Sequence, residues 1–186
     1  MKNYVVLSGT LGSGISTFLY RLSIGCFPSE YIPAHIDEFE YSVDFDGSRS
    51  RMKFYDNSED NRNKNFRTLG LQNTRVFVLC YSHELENSIC ELRTRWLPEI
   101  QSFLSKKNFV VILGLRGDSW DSNNGNCPES IKSIIEEFGF THYWVDSVSG
   151  NGIKEFVEGI TILVRKFSKP ERKRRQNENL QDTCLI

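Results

Sequence analysis

Apolar runs rich in β-branched and aromatic residues alternate along the chain with stretches of helical period. The clearest runs are residues 4–7, 76–80, 109–113 and 142–145. Between and after them, apolar positions spaced by three and four residues predict helices over 88–104, 131–138 and 153–167, and Pro98 is expected to interrupt the first. Strands that alternate with amphipathic helices predict an α/β protein with a parallel sheet covered by helices.

One early segment departs from this alternation. Two strand-like stretches, residues 40–46 and 49–55, flank a turn that contains Asp46-Gly47. An Asp-Gly pair between such stretches is typical of a β-hairpin. We therefore expect one antiparallel strand at an edge of the sheet.

Length and composition indicate one domain. The chain has 186 residues, of which 39% are hydrophobic, enough for one substantial core. The five cysteines are scattered without CxxC pairs, which favours a reduced, cytoplasmic protein. No apolar stretch approaches the ~18 to 20 residues of a membrane span, so any membrane contact is expected to be peripheral.

The charge is unevenly distributed along the chain. Residues 165–186 hold seven of the 23 basic side chains and three of the 24 acidic ones. A basic segment of this kind suits an anionic membrane surface, and a solvated tail without a partner is the alternative. We expect a folded domain over 1–167 and a disordered basic tail over 168–186.

A glycine-rich segment, residues 9–18, follows directly on the first strand. Gly9, Gly14 and Ser16 fit the phosphate-binding pattern G-x-x-x-x-G-K-[ST], in which backbone N–H groups surround phosphates and the hydroxyl meets Mg²⁺. Ile15 stands at the lysine position. A glycine-rich turn with no ligand is the alternative to a phosphate site.

Two further segments connect this pattern to a family. Residues 27–33, Phe-Pro-Ser-Glu-Tyr-Ile-Pro, resemble the start of switch I in Rho/Rac small GTPases, and residues 94–99, Thr-Arg-Trp-Leu-Pro-Glu, resemble their W-x-P-E segment. The resemblance extends from residue 4 to about 167. It implies the small-GTPase (P-loop) fold: a six-stranded, mostly parallel sheet with one antiparallel edge strand and helices on both faces. Because residues 120–128 offer only a Ser/Asn/Gly-rich loop, the helical Rho insert is expected to be shortened or absent.

Carried over position by position, the resemblance implies a guanine-nucleotide site. Its residues are Gly9, Gly12, Ser13, Gly14, Ser16, Thr17, Phe27, Arg116, Asp118, Ser147 and Val148, with Ser16 and Asp56 as the Mg²⁺ ligands. Phe27 matches the aromatic at the guanine edge, and Asp118 the carboxylate that accepts the guanine N1 and N2 hydrogens. Val148 replaces the alanine whose N–H meets the guanine oxygen. The implied cofactors are GDP or GTP, with or without Mg²⁺, and a nucleotide-free protein is the alternative.

Several positions depart from the family pattern. Ile15 replaces the P-loop lysine, and Ala34 stands where the family has the Mg²⁺-ligating switch I threonine. Glu59 and Asp60 replace the glycine and the catalytic glutamine of the third motif. Leu11 takes the second P-loop glycine position, where a side chain obstructs an arginine finger. We therefore predict no catalytic residue, and a slow GTPase at most.

Two hypotheses of different class remain open. The first is an atypical Rho-like protein, impaired in hydrolysis and weak in Mg-GTP binding, that signals through effector or regulator proteins. The second is a slow guanine-nucleotide switch that regulates the cytoskeleton or vesicle traffic. In either case Ala34, Asp37 and Phe39 are the effector-loop candidates, and an ordinary edge strand is the alternative. We expect a monomer without nucleic-acid partners.

The carboxyl terminus departs from the family as well. Rho-like proteins usually end in C-a-a-X, with the cysteine fourth from the end, whereas Cys184 is third. Cys184 beside the basic segment remains the lipidation candidate. Such an anchor would place the protein peripherally at a membrane.

Overall fold

The computed structural model describes residues 3–27, 38–58, 71, 74–116 and 127–166. Six strands form one sheet, in the order β2-β3-β1-β4-β5-β6. Their bounds are β1 Tyr4–Ser8, β2 Glu38–Phe45, β3 Ser48–Asp56, β4 Thr74–Ser82, β5 Phe109–Arg116 and β6 Thr141–Asp146. Only β2 pairs antiparallel, with β3, and the other neighbouring pairs are parallel. The predicted α/β sheet with one antiparallel edge strand is confirmed.

The central strands are buried on both faces, as helices on both sides of the sheet require. All nine residues of β4 are buried, whereas the edge strand β2 is mostly half-buried or exposed. Continuous burial explains why the central strands appear in the sequence as unbroken apolar runs. The sheet edge, by contrast, carries the alternating pattern of the hairpin.

The hairpin turn has the predicted position. The loop between β2 and β3 consists of Asp46 and Gly47, which both have positive φ, 49° and 66°. A two-residue loop with positive φ at both positions is the type I′ turn that matches the strand twist. The two strands extend slightly beyond the predicted bounds, to Glu38 and Asp56.

Helices cover both faces of the sheet, as predicted. They are α1 Ile15–Ile24, α2 Glu86–Glu91, α3 Leu97–Gln101, α4 Glu129–Phe138 and α5 Ile153–Arg165, with a π-helical segment Leu92–Trp96 joining α2 to α3. One core cluster joins Val5 and Leu7 to α1 and α5. The other joins Val6 to the π-helical segment, α3 and α4.

The helix around Pro98 is interrupted one turn earlier than the proline itself. The Leu97 N–H donates to the Leu92 carbonyl, five residues back, so the chain widens into a π-helical turn before Pro98. Pro98 then lies in the first turn of α3, where its missing N–H costs least. The predicted interruption is confirmed, and its place is Leu92–Trp96.

Two predictions fall outside the described residues: most of the short loop over 120–128 and the tail over 168–186. In the part of the chain that the structure describes, no helix is both long enough and apolar enough to span a bilayer.

Candidate functional site

The carboxyl ends of the parallel strands converge at one edge of the sheet. There the register pairs Leu7 with Asp56, Ser82 with Leu115, and Arg116 with Asp146. Loops that follow parallel strands at this edge form the usual ligand crevice of α/β proteins. The glycine-rich loop and the turn after β6 both begin here, which brings the predicted phosphate and base residues to the same edge.

The glycine-rich loop has a backbone suited to an anion. Gly12 and Gly14 have φ values of 85° and 91°, a conformation that residues with a Cβ rarely adopt. The Ser13 N–H donates to the Thr10 carbonyl at 3.0 Å, and helix α1 begins when Phe18 N–H donates to the Gly14 carbonyl at 2.9 Å. The first N–H groups of α1 therefore point out of its amino-terminal end, with the positive end of the helix dipole.

Gly9 has a packing reason of its own. A Cβ on Gly9 would lie 2.7 Å from the Cys80 carbonyl oxygen, closer than real Cβ atoms approach. The loop therefore leaves β1 in direct backbone contact with β4. Glycine is required here whether or not a ligand binds.

Ser13 carries the one buried side-chain oxygen without a hydrogen-bond partner among the described residues. Its side chain is 2% exposed, and its Oγ lies 3.1 Å from the point where a Gly9 Cβ would be. An unpaired buried hydroxyl costs about 1 to 3 kcal/mol. A bound anion or water molecule at the loop would supply the missing partner, so this residue fits a phosphate ligand.

Ile15, at the lysine position of the loop, is buried in the core. Its side chain is 2% exposed and belongs to the cluster that contains Leu7, Phe18 and Leu115. Its Cδ1 lies 3.0 Å from the point where a Gly9 Cβ would be, so the side chain turns back under the loop. The lysine position of the loop is therefore filled by an apolar side chain that packs into the core beneath it.

Ser16 and Asp56, the predicted Mg²⁺ ligands, are in direct contact. Ser16 Oγ donates to Asp56 Oδ2 at 2.8 Å, and Asp56 Oδ1 accepts from the Ser58 N–H at 2.8 Å. Oxygen ligands suit Mg²⁺, which usually takes one or two from protein and the rest from water and phosphate. No set of three or more His, Cys, Asp or Glu able to hold a metal occurs within the described residues. Thr17 follows Ser16 in the first turn of α1, half-buried.

The loop is also tied to the helix after β4. Thr10 Oγ1 donates to Glu91 Oε2 at 2.7 Å, and Trp96 Nε1 donates to Thr10 Oγ1 at 3.3 Å. The Arg95 guanidinium lies 3.6 Å from the same Glu91 oxygen and 4.6 Å from the Trp96 ring centroid. The π-helical turn thus presents a fully buried indole to the P-loop. The sequence pattern gave no indication of this role for Thr10.

The resemblance assigns Phe27, Arg116, Ser147 and Val148 to the base side of the crevice. Phe27 is half-buried three residues beyond α1, and Arg116 ends β5 opposite Asp146. Ser147 is buried, whereas Val148 is 40% exposed. The Val148 N–H, which the resemblance assigns to the guanine oxygen, donates to Asp146 Oδ1 at 2.8 Å.

Asp146 organises this turn, and the sequence reasoning did not single it out. The Ser149 N–H donates to Asp146 Oδ1 at 3.1 Å, and Ser149 Oγ donates to Asp146 Oδ2 at 2.6 Å. An aspartate whose side chain bonds to backbone N–H groups two and three residues later is a common turn device. The sequence Asp-Ser-Val-Ser directly after a strand was the signal that could have identified it.

Comparison with known proteins decides the family. Residues 4–166 match the model of the Ras family. The chain belongs to the Ras family. Within it the chain is a Rho-like small GTPase, because its relatives include Rho proteins. It is 28% identical over 126 residues to "Rho-related protein racI" of Dictyostelium discoideum, a match that covers 66% of this chain and less than two thirds, 62%, of racI.

Two yeast relatives match over nearly their whole length. This Rho-like chain is 22% identical over 200 residues to "GTP-binding protein RHO1" of Saccharomyces cerevisiae, covering 100% of this chain and 96% of that protein. It is 20% identical over 197 residues to "GTP-binding protein rho1" of Schizosaccharomyces pombe, covering 100% of this chain and 98% of that protein. The predicted family is confirmed.

Two surface positions of the Rho-like domain bear on its partners. Leu11, at the second P-loop glycine position, is 62% exposed above the loop. Phe39, an effector-loop candidate, stacks on Phe54 with ring centroids 5.4 Å apart and an interplanar angle of 15°. Its ring therefore helps to hold β2 on the sheet, in addition to any contact with a partner.

Burial shifts the pKa of two side chains in the sheet, Cys80 and His142. The pKa of the Cys80 thiol is raised well above its usual range, mainly because the group is buried and secondarily because of the Asp56 charge, so this thiol stays neutral. Burial, followed by the neighbouring His83, lowers the pKa of His142 to about 4. His142 Nε2 lies 3.0 Å from the Tyr81 hydroxyl, on the side of the sheet away from α1.

The remaining predicted site residues lie outside the described residues. They are Ala34, Asp37, Asp60, Asp118 and Cys184, together with Glu59. The predictions for them stay predictions from the sequence.

Proposed function

We propose that this chain is an atypical Rho-like protein, impaired in GTP hydrolysis and weak in Mg-GTP binding, that acts through effector-type protein interactions. The observation that carries this proposal is Ile15, an apolar side chain buried beneath the P-loop at the lysine position. The resemblance to Rho proteins implies a nucleotide site, and the departures from the family pattern imply that this site binds Mg-GTP weakly.

The loss of the lysine weakens the hold on phosphate. A charge-assisted hydrogen bond to phosphate contributes about 1.5 to 3 kcal/mol, and every 1.4 kcal/mol is about tenfold in affinity. Ile15 offers no donor, and its side chain packs in the core beneath the loop. Triphosphate binding is therefore expected to fall by one to two orders of magnitude from this change alone.

The switch positions add to this loss. Ala34 removes the hydroxyl that would ligate Mg²⁺, and Glu59 and Asp60 place two carboxylates where the family has none. Two like charges about 4 Å apart cost ~1 kcal/mol when well solvated and ~4 kcal/mol at an effective dielectric of 20. With Asp60 in place of the water-orienting glutamine and Leu11 exposed above the loop, both intrinsic and stimulated hydrolysis are expected to be lost.

What remains of the site suits a diphosphate better than a triphosphate. The Gly12 and Gly14 backbone, the unpaired Ser13 hydroxyl and the amino-terminal end of α1 all offer donors at the edge of the sheet. These groups would hold the inner phosphates, whereas the lost switch groups belong to the outermost phosphate and the lost lysine to the outer two. GDP is therefore expected to bind better than GTP.

The protein-binding role rests on β2 and the segment before it. In the effector loop, residues 35–41, Asp37 and Phe39 match the acidic and aromatic positions that the family uses on effectors. Phe39 is held in place by Phe54, so the loop has one fixed end on the sheet. The basic segment over 165–175 and Cys184 would add a peripheral contact with an anionic membrane.

A second function is favoured by one contact. Ser16 Oγ and Asp56 Oδ2, 2.8 Å apart, keep the two oxygen groups that would hold Mg²⁺. A slow guanine-nucleotide switch that uses this pair is the alternative to a nucleotide-independent protein.

Calorimetric titration tests the proposal. The protein is first freed of bound nucleotide and metal with EDTA, and GTP and GDP are then titrated separately, with and without Mg²⁺. The RHO1 protein of Saccharomyces cerevisiae serves as the control, together with single-turnover hydrolysis of GTP. We expect Mg-GTP to bind this chain at least a hundredfold more weakly than the control and single turnover not to exceed the uncatalysed rate. An affinity and turnover equal to those of RHO1 would establish the switch instead.

A further inference from the structure

The turn after β6 is folded around one carboxylate. Asp146 Oδ1 accepts the N–H groups of Val148 and Ser149, at 2.8 and 3.1 Å, while Oδ2 accepts the Ser149 hydroxyl at 2.6 Å. Backbone bonds close the same turn: the Gly150 N–H donates to the Asp146 carbonyl at 2.8 Å, and the Asp146 N–H to the Asn151 carbonyl at 3.0 Å. The Val148 amide therefore has an internal acceptor.

We propose that Asp146 is a specificity-determining residue that occupies the Val148 amide and so prevents this chain from reading the 6-oxo group of guanine. The inference rests on the proposed function, since it takes the turn after β6 as the base-binding side of the nucleotide site. It adds that the 6-oxo group of guanine contributes no affinity at this turn, so any base preference of the chain rests on the contact predicted for Asp118.

The competition between the two acceptors favours Asp146. A carboxylate accepts a stronger, charge-assisted hydrogen bond than the neutral carbonyl of a base. Asp146 is also tethered two residues from the amide, so its bond costs no translational freedom, whereas an incoming base must lose that freedom. To reach the Val148 N–H, guanine would have to displace a bond that is both stronger and already formed.

The carboxylate also acts on the base directly. Asp146 ends β6 in register with Arg116, the last residue of β5, which places it at the edge where the base would lie. A guanine carbonyl brought to the Val148 N–H would approach the Asp146 oxygen that is 2.8 Å from the same nitrogen. Two acceptors that face each other repel, so the turn penalises the group that the family reads there.

The test compares GDP with ADP as the two probes on three proteins. Asp146→Ala removes the acceptor and frees the Val148 N–H, while Asp146→Asn keeps an oxygen at the same position and serves as the matched control. Dissociation constants are measured by calorimetry with Mg²⁺, and thermal melts establish that each variant is folded. Amide hydrogen exchange at Val148 in the nucleotide-free proteins reports whether the internal bond is present.

In the wild type we expect any preference for GDP over ADP to come from the predicted Asp118 contact with the guanine N1 and N2 hydrogens, and not from the Val148 amide. In Asp146→Ala we expect GDP to bind about tenfold more tightly, which corresponds to ~1.4 kcal/mol, with ADP unchanged. Asp146→Asn should resemble the wild type, and Val148 exchange should be slow in both and fast in Asp146→Ala.

Three results would overturn the proposal. One is fast Val148 exchange in the nucleotide-free wild type, and another is an Asp146→Ala variant in which GDP affinity is unchanged or rises together with that of ADP. The third is a folded Asp146→Ala variant that binds no GDP at millimolar concentration. GTP affinity and hydrolysis do not enter the GDP-to-ADP ratio, so a failure of the proposed function is distinguishable from a failure of this inference.

Discussion

Ile15 lies against Gly9 inside the P-loop, with its Cδ1 3.0 Å from the point where a Cβ on Gly9 would be. An isoleucine at this position joins the loop to the hydrophobic core, where a lysine would join it to a phosphate. The loop is thereby stabilised by packing, which needs no ligand. This contact between Ile15 and Gly9 is the structural basis for the proposed loss of phosphate affinity.

Replacing Ile15 with lysine should lower the stability of the protein and raise its affinity for GDP. Ile15→Lys removes a buried aliphatic group from the core and should lower the free energy of unfolding by about 2 to 4 kcal/mol in the absence of nucleotide. It should also strengthen GDP binding by about tenfold, since a phosphate donor is restored. Urea unfolding with and without GDP measures both effects.

Ile15→Met is the matched control, because it conserves volume and apolar character. Its cost should stay below about 1.5 kcal/mol, with no gain in GDP affinity. A lysine variant as stable as the methionine variant, with unchanged GDP binding, would show that Ile15 is not what closes the loop.

The hydroxyl of Thr10 should contribute to stability through its two partners. Thr10→Val keeps the shape but removes both the oxygen that accepts the 3.3 Å bond from Trp96 Nε1 and the donor to Glu91. The free energy of unfolding should fall by about 1 to 2 kcal/mol, whereas Thr10→Ser, which keeps the hydroxyl, should cost less. Equal urea midpoints for the two variants would show that the Thr10 hydroxyl does not stabilise the fold through Glu91 and Trp96.

Ser16 and Asp56 should act as a unit toward Mg²⁺. If the pair holds the ion, GDP affinity should be higher with Mg²⁺ than with EDTA in the wild type. Ser16→Ala and Asp56→Asn should each abolish that difference, and the double variant should be no worse than either single one. A Mg²⁺ effect that persists in all three variants would place the ion elsewhere.

His142 should make the protein less stable in mild acid. Its folded-state pKa of about 4 lies below the unfolded value of 6.5, so the unfolded chain binds more protons between these values. The free energy of unfolding should therefore fall as pH decreases from about 6.5 to about 4, with no contribution from His142 above 6.5. The slope should stay below about 1.4 kcal/mol per pH unit, because the imidazole is partly exposed.

His142→Gln keeps a polar partner for the Tyr81 hydroxyl without titrating in this range. Urea unfolding at a series of pH values should give a flatter profile for this variant than for the wild type. Parallel profiles would assign the acid sensitivity to other groups.

The fold was predictable because its strands differ physically from its helices. The buried strand β4 appears as an unbroken apolar run, and Asp46-Gly47 marks the antiparallel turn between β2 and β3. The widened turn at Leu92–Trp96 was not predictable in detail, because Pro98 indicates that the helix is disturbed without saying how its hydrogen bonds rearrange.

Site residues were predictable only where their role follows from residue type and position in a motif. Glycines and the Ser16–Asp56 pair follow from local pattern and family position. The roles of Thr10 and Asp146 depend on which partner a side chain finds, Glu91 and Trp96 in one case and the Val148 amide in the other. Such pairings arise from tertiary packing and turn geometry, which a single sequence does not display.

The nucleotide content of the freshly purified protein is the most direct test of whether this chain has lost tight binding of guanine nucleotide. The protein is denatured, and the released nucleotide is quantified by ion-exchange chromatography beside the RHO1 protein of Saccharomyces cerevisiae prepared in the same way. We predict far less than one guanine nucleotide per folded chain, because Ile15 replaces the P-loop lysine and Asp146 occupies the Val148 amide. Near-stoichiometric GDP or GTP would contradict it and establish a guanine-nucleotide switch.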